Sequence, residues 1–155
     1  MMLCMNASAF SQIRTLELKD GWIFSRGDEP AWSAPDFDHK AWGPIKVGVS
    51  WIQAGHPDYH GWGWYRLEIK LPLNWKDDAL LKKSEFLVLD LGTIDDCDET
   101  FWNGGMVGAA GKFPPTYETA YNVRRRYKIP LQTLRFDREN ILAVRVYDGG
   151  GAAGI

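Results

Sequence analysis

The stretch LGTIDDCDETFWNGGMVG, residues 91 to 108, packs four acids into five positions and then turns through Asn-Gly-Gly. Crowded carboxylates suit three kinds of chemistry. Oxygen ligands in sufficient number hold a Ca²⁺ ion. Two opposed carboxyl groups cleave a glycosidic bond. Acids ahead of a turn also serve structure, by accepting backbone hydrogen bonds and pairing with nearby arginines. The spacing is not that of an EF-hand loop, and alternation along a strand sends neighbouring side chains to opposite faces. Asp95, Asp96, Asp98 and Glu99 therefore cannot all converge. The structural role is favoured, with a structural Ca²⁺ and an acid/base role left as alternatives, and no other cofactor is expected.

Two further groups of residues carry possible chemistry. His56 and His60 stand four apart, which on a helix would resemble a zinc pair, but Pro57 and the flanking glycines make AGHPDYHGWG a loop. No HExxH, CxxC, GxSxG or phosphate-binding loop occurs. In GWGWYR, Trp62 and Trp64 flank Gly63 where a loop enters a strand. Aromatic faces at a strand end suit the C–H faces of sugars, with Arg66 close by to hydrogen-bond hydroxyls. The competing reading places these tryptophans in the core. Nothing in the sequence pairs two carboxylates across a cleft, so no catalytic residue and no metal ligand is assigned.

These residues must be held by strands. YRLEIKLP sets Tyr65, Leu67, Ile69 and Leu71 against Arg66, Glu68 and Lys70, the alternation of a half-buried strand ended by Pro72. IKVGVSW repeats the pattern through Ile45, Val47, Val49 and Trp51, and RRRYKIP through Arg125, Tyr127 and Ile129. FLVLDLG and NILAVRVYD are dense enough in aliphatic residues to be central strands. LELKDGWIF opens the domain. DETFWNGGMVG reads as a hairpin about Asn103-Gly104, with Thr100 and Trp102 alternating with Glu99 and Phe101. Single helical turns are expected in PDFDHKAW, capped by Asp36, and in PLQTLR. The fold class is all-β: an antiparallel sandwich of eight or nine strands.

Composition bounds the remaining choices. Eight Trp, six Tyr and seven Phe beside sixteen Gly suit strands joined by tight turns. A net charge of −2 leaves no basic footprint for nucleic acid. No apolar run approaches the roughly 20 residues that span a bilayer, so no membrane partner is expected. The start, MMLCMNASAF, lacks a cationic n-region and is not a complete signal peptide. Residues 1 to 12 are expected to form a poorly ordered tail ahead of a domain at 13 to 155. With Cys4 in that tail and Cys97 in the domain, no structural disulfide is expected.

Five motifs then fall in order across residues 20 to 155: DGWIFSRGDEPAWSAPDFDHKAW, VGVSWIQAGHPDYHGWGWYRLEIKLP, IDDCDETFWNGGMVG, YKIP and ENILAVRVYDGGGAAGI. Together they resemble the N-terminal sugar-binding domain of glycoside hydrolase family 2 enzymes, the β-galactosidase and β-glucuronidase group. A similar domain lies in bacterial sialate O-acetylesterases. The resemblance implies a galactose-binding-domain-like jelly roll that binds carbohydrate beside a separate catalytic barrel of roughly 250 residues. It implies that Asp148, in the Asp-Gly after the last strand, begins a loop that reaches toward the barrel's sugar. In this chain that loop is shorter and richer in glycine. Relatives act in the periplasm or outside the cell. In the family the final Gly-Ile leads into a closing strand, so the chain is expected to be a fragment with an open sheet edge that invites self-association.

Overall fold

In the computed structural model, residues 1–4, 14–151 and 153–155 are described. The all-β sandwich expected from the alternation is present as two antiparallel sheets. Their strands are β1 (Met2–Cys4), β2 (Thr15–Glu17), β3 (Ile23–Arg26), β4 (Gly43–Pro44), β5 (Gly61–Ile69), β6 (Phe86–Thr93), β7 (Cys97–Trp102), β8 (Gly105–Ala110), β9 (Arg124–Pro130) and β10 (Asn140–Asp148). One sheet has the order β2-β1-β6-β9 and the other β4-β3-β5-β10-β7-β8.

The two aliphatic runs take the predicted central places: β6 lies between β1 and β9, and β10 between β5 and β7. β5 and β10 pair over their whole lengths, from Gly61↔Asp148 to Ile69↔Asn140. Tyr65, Leu67, Ile69, Leu142, Val144 and Val146 face Leu87, Leu89 and Ile129 in a core capped by Trp22, Trp51 and Trp102. Each such side chain contributes about 1.5–3 kcal/mol by leaving water. Gly63 leaves room for that core, because a Cβ there would lie 2.6 Å from Phe24.

A polar cluster crosses the core. Arg125 of β9 donates through Nε to Asp98 Oδ1 of β7 at 2.7 Å, both side chains being 0% exposed. Thr100 and Tyr127 donate to the same carboxylate, and Arg125 also donates to the carbonyls of Ala120 and Asp96.

Several local expectations are corrected. The predicted strand 45–51 is a bent segment: Gly48 takes φ +77, which ends the alternation, and only Gly43–Pro44 pairs with β3. The helical turn expected about Asp36 falls earlier, as a 3₁₀ turn at Pro30–Ser33. The turn in PLQTLR is present at Leu131–Thr133. Two short helices were not anticipated, α1 (Leu73–Lys76) and α2 (Ala79–Lys83). Their signal is legible in hindsight: Asp78 caps α2 by accepting from Leu80 N, and Lys82 and Lys83 close it. Among the described residues ten strands stand where eight or nine were expected, because short pairings such as β1 and β4 carry little pattern. β1 also corrects the predicted tail, since Met2–Cys4 pairs with both β2 and β6 and Leu3 is fully buried. Residues 5–12 of that tail lie outside the described residues. Cys4 and Cys97 are both free.

The Asn103-Gly104 hairpin is as the sequence predicts, with φ +51 and +85 at the two turn residues. Asn103 locks it to β10: Ile141 N donates to Asn103 Oδ1 at 2.9 Å, and Asn103 Nδ2 donates to Asn140 Oδ1 at 3.0 Å. A Cβ at Gly104 would meet Pro35 Cδ at 3.0 Å. Gly104→Val is therefore expected to destabilise the fold by about 1 kcal/mol or more, read from the urea unfolding midpoint.

Candidate functional site

The outer face of the six-stranded sheet carries an aromatic rim. Cross-strand register sets Trp62 beside Tyr147 and Trp64 beside Arg145, and Arg145 beside Glu99. The Arg145 guanidinium lies 4.3 Å from the Trp62 ring centre and 4.5 Å from that of Phe113. Its Nη1 donates to Glu99 Oε2 at 2.9 Å and its Nη2 to Asp28 Oδ2 at 2.6 Å. Trp62 packs on Phe113 at 4.7 Å and on Tyr147 at 4.9 Å, and Tyr117 meets Tyr147 at 5.6 Å. Trp62, Phe113 and Tyr147 are half-buried and Tyr117 is exposed. The arrangement offers partly open ring faces next to a fixed cation, a combination suited to C–H stacking and hydroxyl recognition.

The four residues singled out in the sequence do not form one surface. Trp62 belongs to the rim. Trp64, 0% exposed, stacks on Phe101 and donates through Nε1 to Asp28 Oδ1 at 3.0 Å. It is a core residue of the outer layer and presents no open face. Arg66 is also buried, under the segment that carries the 3₁₀ turn, where its Nη1 donates to the Trp32 and Ala34 carbonyls. Asp148, 1% exposed, lies on the other side of the sheet from Trp62. His60 Nδ1 sits 2.5 Å from its Oδ2, and Gly150 N donates to its Oδ1 at 3.0 Å.

Arg145, Tyr147, Phe113 and Tyr117 were missed. Alternation in NILAVRVYD puts Arg145 and Tyr147 on one face, but only the strand pairing tells which tryptophan they meet. Phe113 and Tyr117 arrive from a loop whose destination no local pattern reveals.

The acid cluster divides into separate roles. Asp98 holds Arg125 and Glu99 holds Arg145. Asp96 accepts from Thr119 Oγ1 at 2.5 Å and from Gly149 N at 2.8 Å, tying the glycine-rich loop to the sheet end. Burial would raise the Asp96 carboxyl, yet Thr119, Tyr117 and Gly149 hold it below its ordinary value. Asp95 is pushed up to about 6, first by burial, then by its hydrogen bond to Asp96 and the charges of Asp96 and Asp148. Among the described residues, no group of three or more His, Cys, Asp or Glu is placed to hold a metal ion.

No protein-family profile and no curated protein matches the sequence. Solved structures do match. A β-glucuronidase of Bacteroides uniformis aligns over 88% of this chain with a TM-score of 0.67 and 26% identity. A glycosyl hydrolase family 2 member from Bacteroides cellulosilyticus aligns over 88% with a TM-score of 0.67 and 20% identity. The β-glucuronidase of Ruminococcus gnavus aligns over 83% with a TM-score of 0.59 and 18% identity. This chain is similar to one part of these enzymes. It spans only 15%, 19% and 20% of their respective lengths.

The raised Asp95 carboxyl has a measurable consequence. Unfolded, Asp95 loses its proton near pH 3.9 or so; folded, it keeps it to about 6. Between those values the folded state holds the extra proton, so this group's contribution is full at the acid end and is lost as pH rises through the folded value. Asp95→Asn keeps a donor for Asp96 and removes the buried charge. After allowance for partial solvent screening, it is expected to raise stability at pH 7.5 by on the order of 1 kcal/mol and to flatten the slope between about pH 4 and 6. Melting temperatures measured across that range check both effects.

Proposed function

We propose that this chain is a non-catalytic, carbohydrate-binding accessory domain of a glycoside hydrolase of the β-glucuronidase and β-galactosidase kind. In this reading the sandwich is a galactose-binding-domain-like jelly roll that packs beside a catalytic barrel. The observation that carries it is the alignment of 88% of this chain to only 15% of a β-glucuronidase. A catalytic barrel takes roughly 250 residues, so the bond-breaking carboxylates belong to another domain. Sugar is taken at the rim, stacking on Trp62 and Tyr117 with Arg145, Asp28 and Glu99 facing its hydroxyls. An accessory role in a sialate O-acetylesterase is the same proposal with a different catalytic partner.

A second reading, a module that only braces its neighbour, draws support from the burial of Trp64, Arg66 and Asp148. The edge strands β4 and β8 are where a neighbouring domain or a second copy would add.

Titration of the chain with galactosides, glucuronides and longer plant or host glycans, followed by tryptophan fluorescence, separates the two. The carbohydrate-binding reading predicts saturable quenching by at least one of them, weakened about tenfold or more by Trp62→Ala. A flat response to every glycan leaves the bracing role.

A further inference from the structure

Arg66 is a buried cation with three of its five N–H donors unpartnered among the described residues. It is 1% exposed, and its Nη1 is taken by two backbone carbonyls. Its Nε and Nη2 have no hydrogen-bond partner among the described residues. Those two nitrogens form one edge of the guanidinium, whose spacing matches the two oxygens of a carboxylate. Beside it lies a cavity of about 460 Å³, lined by Arg66, His39, Lys40, Trp42, Glu68 and Ile23 among others. His39 Nδ1 is likewise buried without a partner among the described residues, while its Nε2 sits 3.3 Å from Glu68 Oε1. Trp42 and Ile23 give the cavity an apolar wall, and the Lys40 side chain stands 89% exposed at its edge.

We propose that this cavity is a binding site for a small carboxylate, received side-on by Arg66 Nε and Nη2, with the body of the ligand against Trp42. A ring-sized acid fits the volume and the wall, and an acidic monosaccharide is the class that uses both. That last step rests on the proposed carbohydrate function; the carboxylate edge does not. Glu68 and Asp36 are close enough to influence Arg66, but neither bonds to it, and burial lowers its pKa from the usual guanidinium value. A bound carboxylate supplies the missing counter-charge. Lys40 and Glu68 line the same cavity, and both side chains face solvent.

The test is titration of the full chain with glucuronate, glucose and acetate at low ionic strength. It is read by the Arg66 Nε–H resonance and by tryptophan fluorescence. Glucuronate is expected to shift that resonance saturably and glucose to leave it unmoved. Acetate producing the same shift at the same affinity supports a general carboxylate site, and tighter binding of glucuronate supports the acidic sugar. Lys40→Glu, at an exposed position, should weaken glucuronate binding severalfold, and Arg66→Met should abolish it. If Arg66→Met does not fold, Lys40→Glu decides. Trp62→Ala should leave this binding intact, so that failure at the rim and failure here are separable. An unmoved Arg66 resonance with both acids, an equal response to glucose, or unchanged affinity in Lys40→Glu would overturn the proposal.

Discussion

The sandwich depends on one ion pair in a place where ions are costly. Asp98 and Arg125 are both fully buried and come from different sheets. Burial alone raises the Asp98 carboxyl, and Arg125, Thr100 and Tyr127 act against that shift. Desolvating two charges offsets most of what their attraction gives, so such a pair adds specificity more than net stability. Here the specificity is positional. Arg125 donates to the carbonyls of Ala120, Val123 and Asp96. The segment from 112 to 123 is therefore held against the end of β7, and it brings Phe113 and Tyr117 to the rim.

The same arrangement gives the four neighbouring acids separate partners. Strand alternation sends Asp98 inward and Glu99 outward, and each meets an arginine. Asp96 is committed to the Gly149 loop and to Thr119. Asp95 is left beside it with its carboxyl raised to about 6. The two proposed ligand sites lie on the outer face: the partly open rings around Arg145, and the unpartnered edge of Arg66 beside the cavity that Trp42 lines. Both sit on strands whose register is fixed across nine β5–β10 pairs.

Much of this was legible. The alternation in YRLEIKLP and RRRYKIP gave the inward faces correctly, down to Arg125 among the core positions, and Asn103-Gly104 gave the hairpin. IKVGVSW misled because Gly48 breaks a strand that its neighbours' alternation suggests. Met2–Cys4 is too short to show a period, yet Leu3 fills the core. For the site, the sequence singled out Trp62, Trp64 and Arg66, which lie two apart along β5 and so share a face. It could not show that residues 28–42 fold over Trp64 and Arg66 while leaving Trp62 half open. Depth beneath a loop is a long-range property, and no local pattern encodes it.

A double-mutant cycle on Asp98→Asn and Arg125→Met, measured by equilibrium unfolding, tests the central claim most directly. Each single change leaves the partner's charge or donors buried without compensation. Each is predicted to cost about 3–5 kcal/mol, with the double variant losing clearly less than the sum. Single losses below about 1 kcal/mol that simply add would show that the two layers do not depend on this contact.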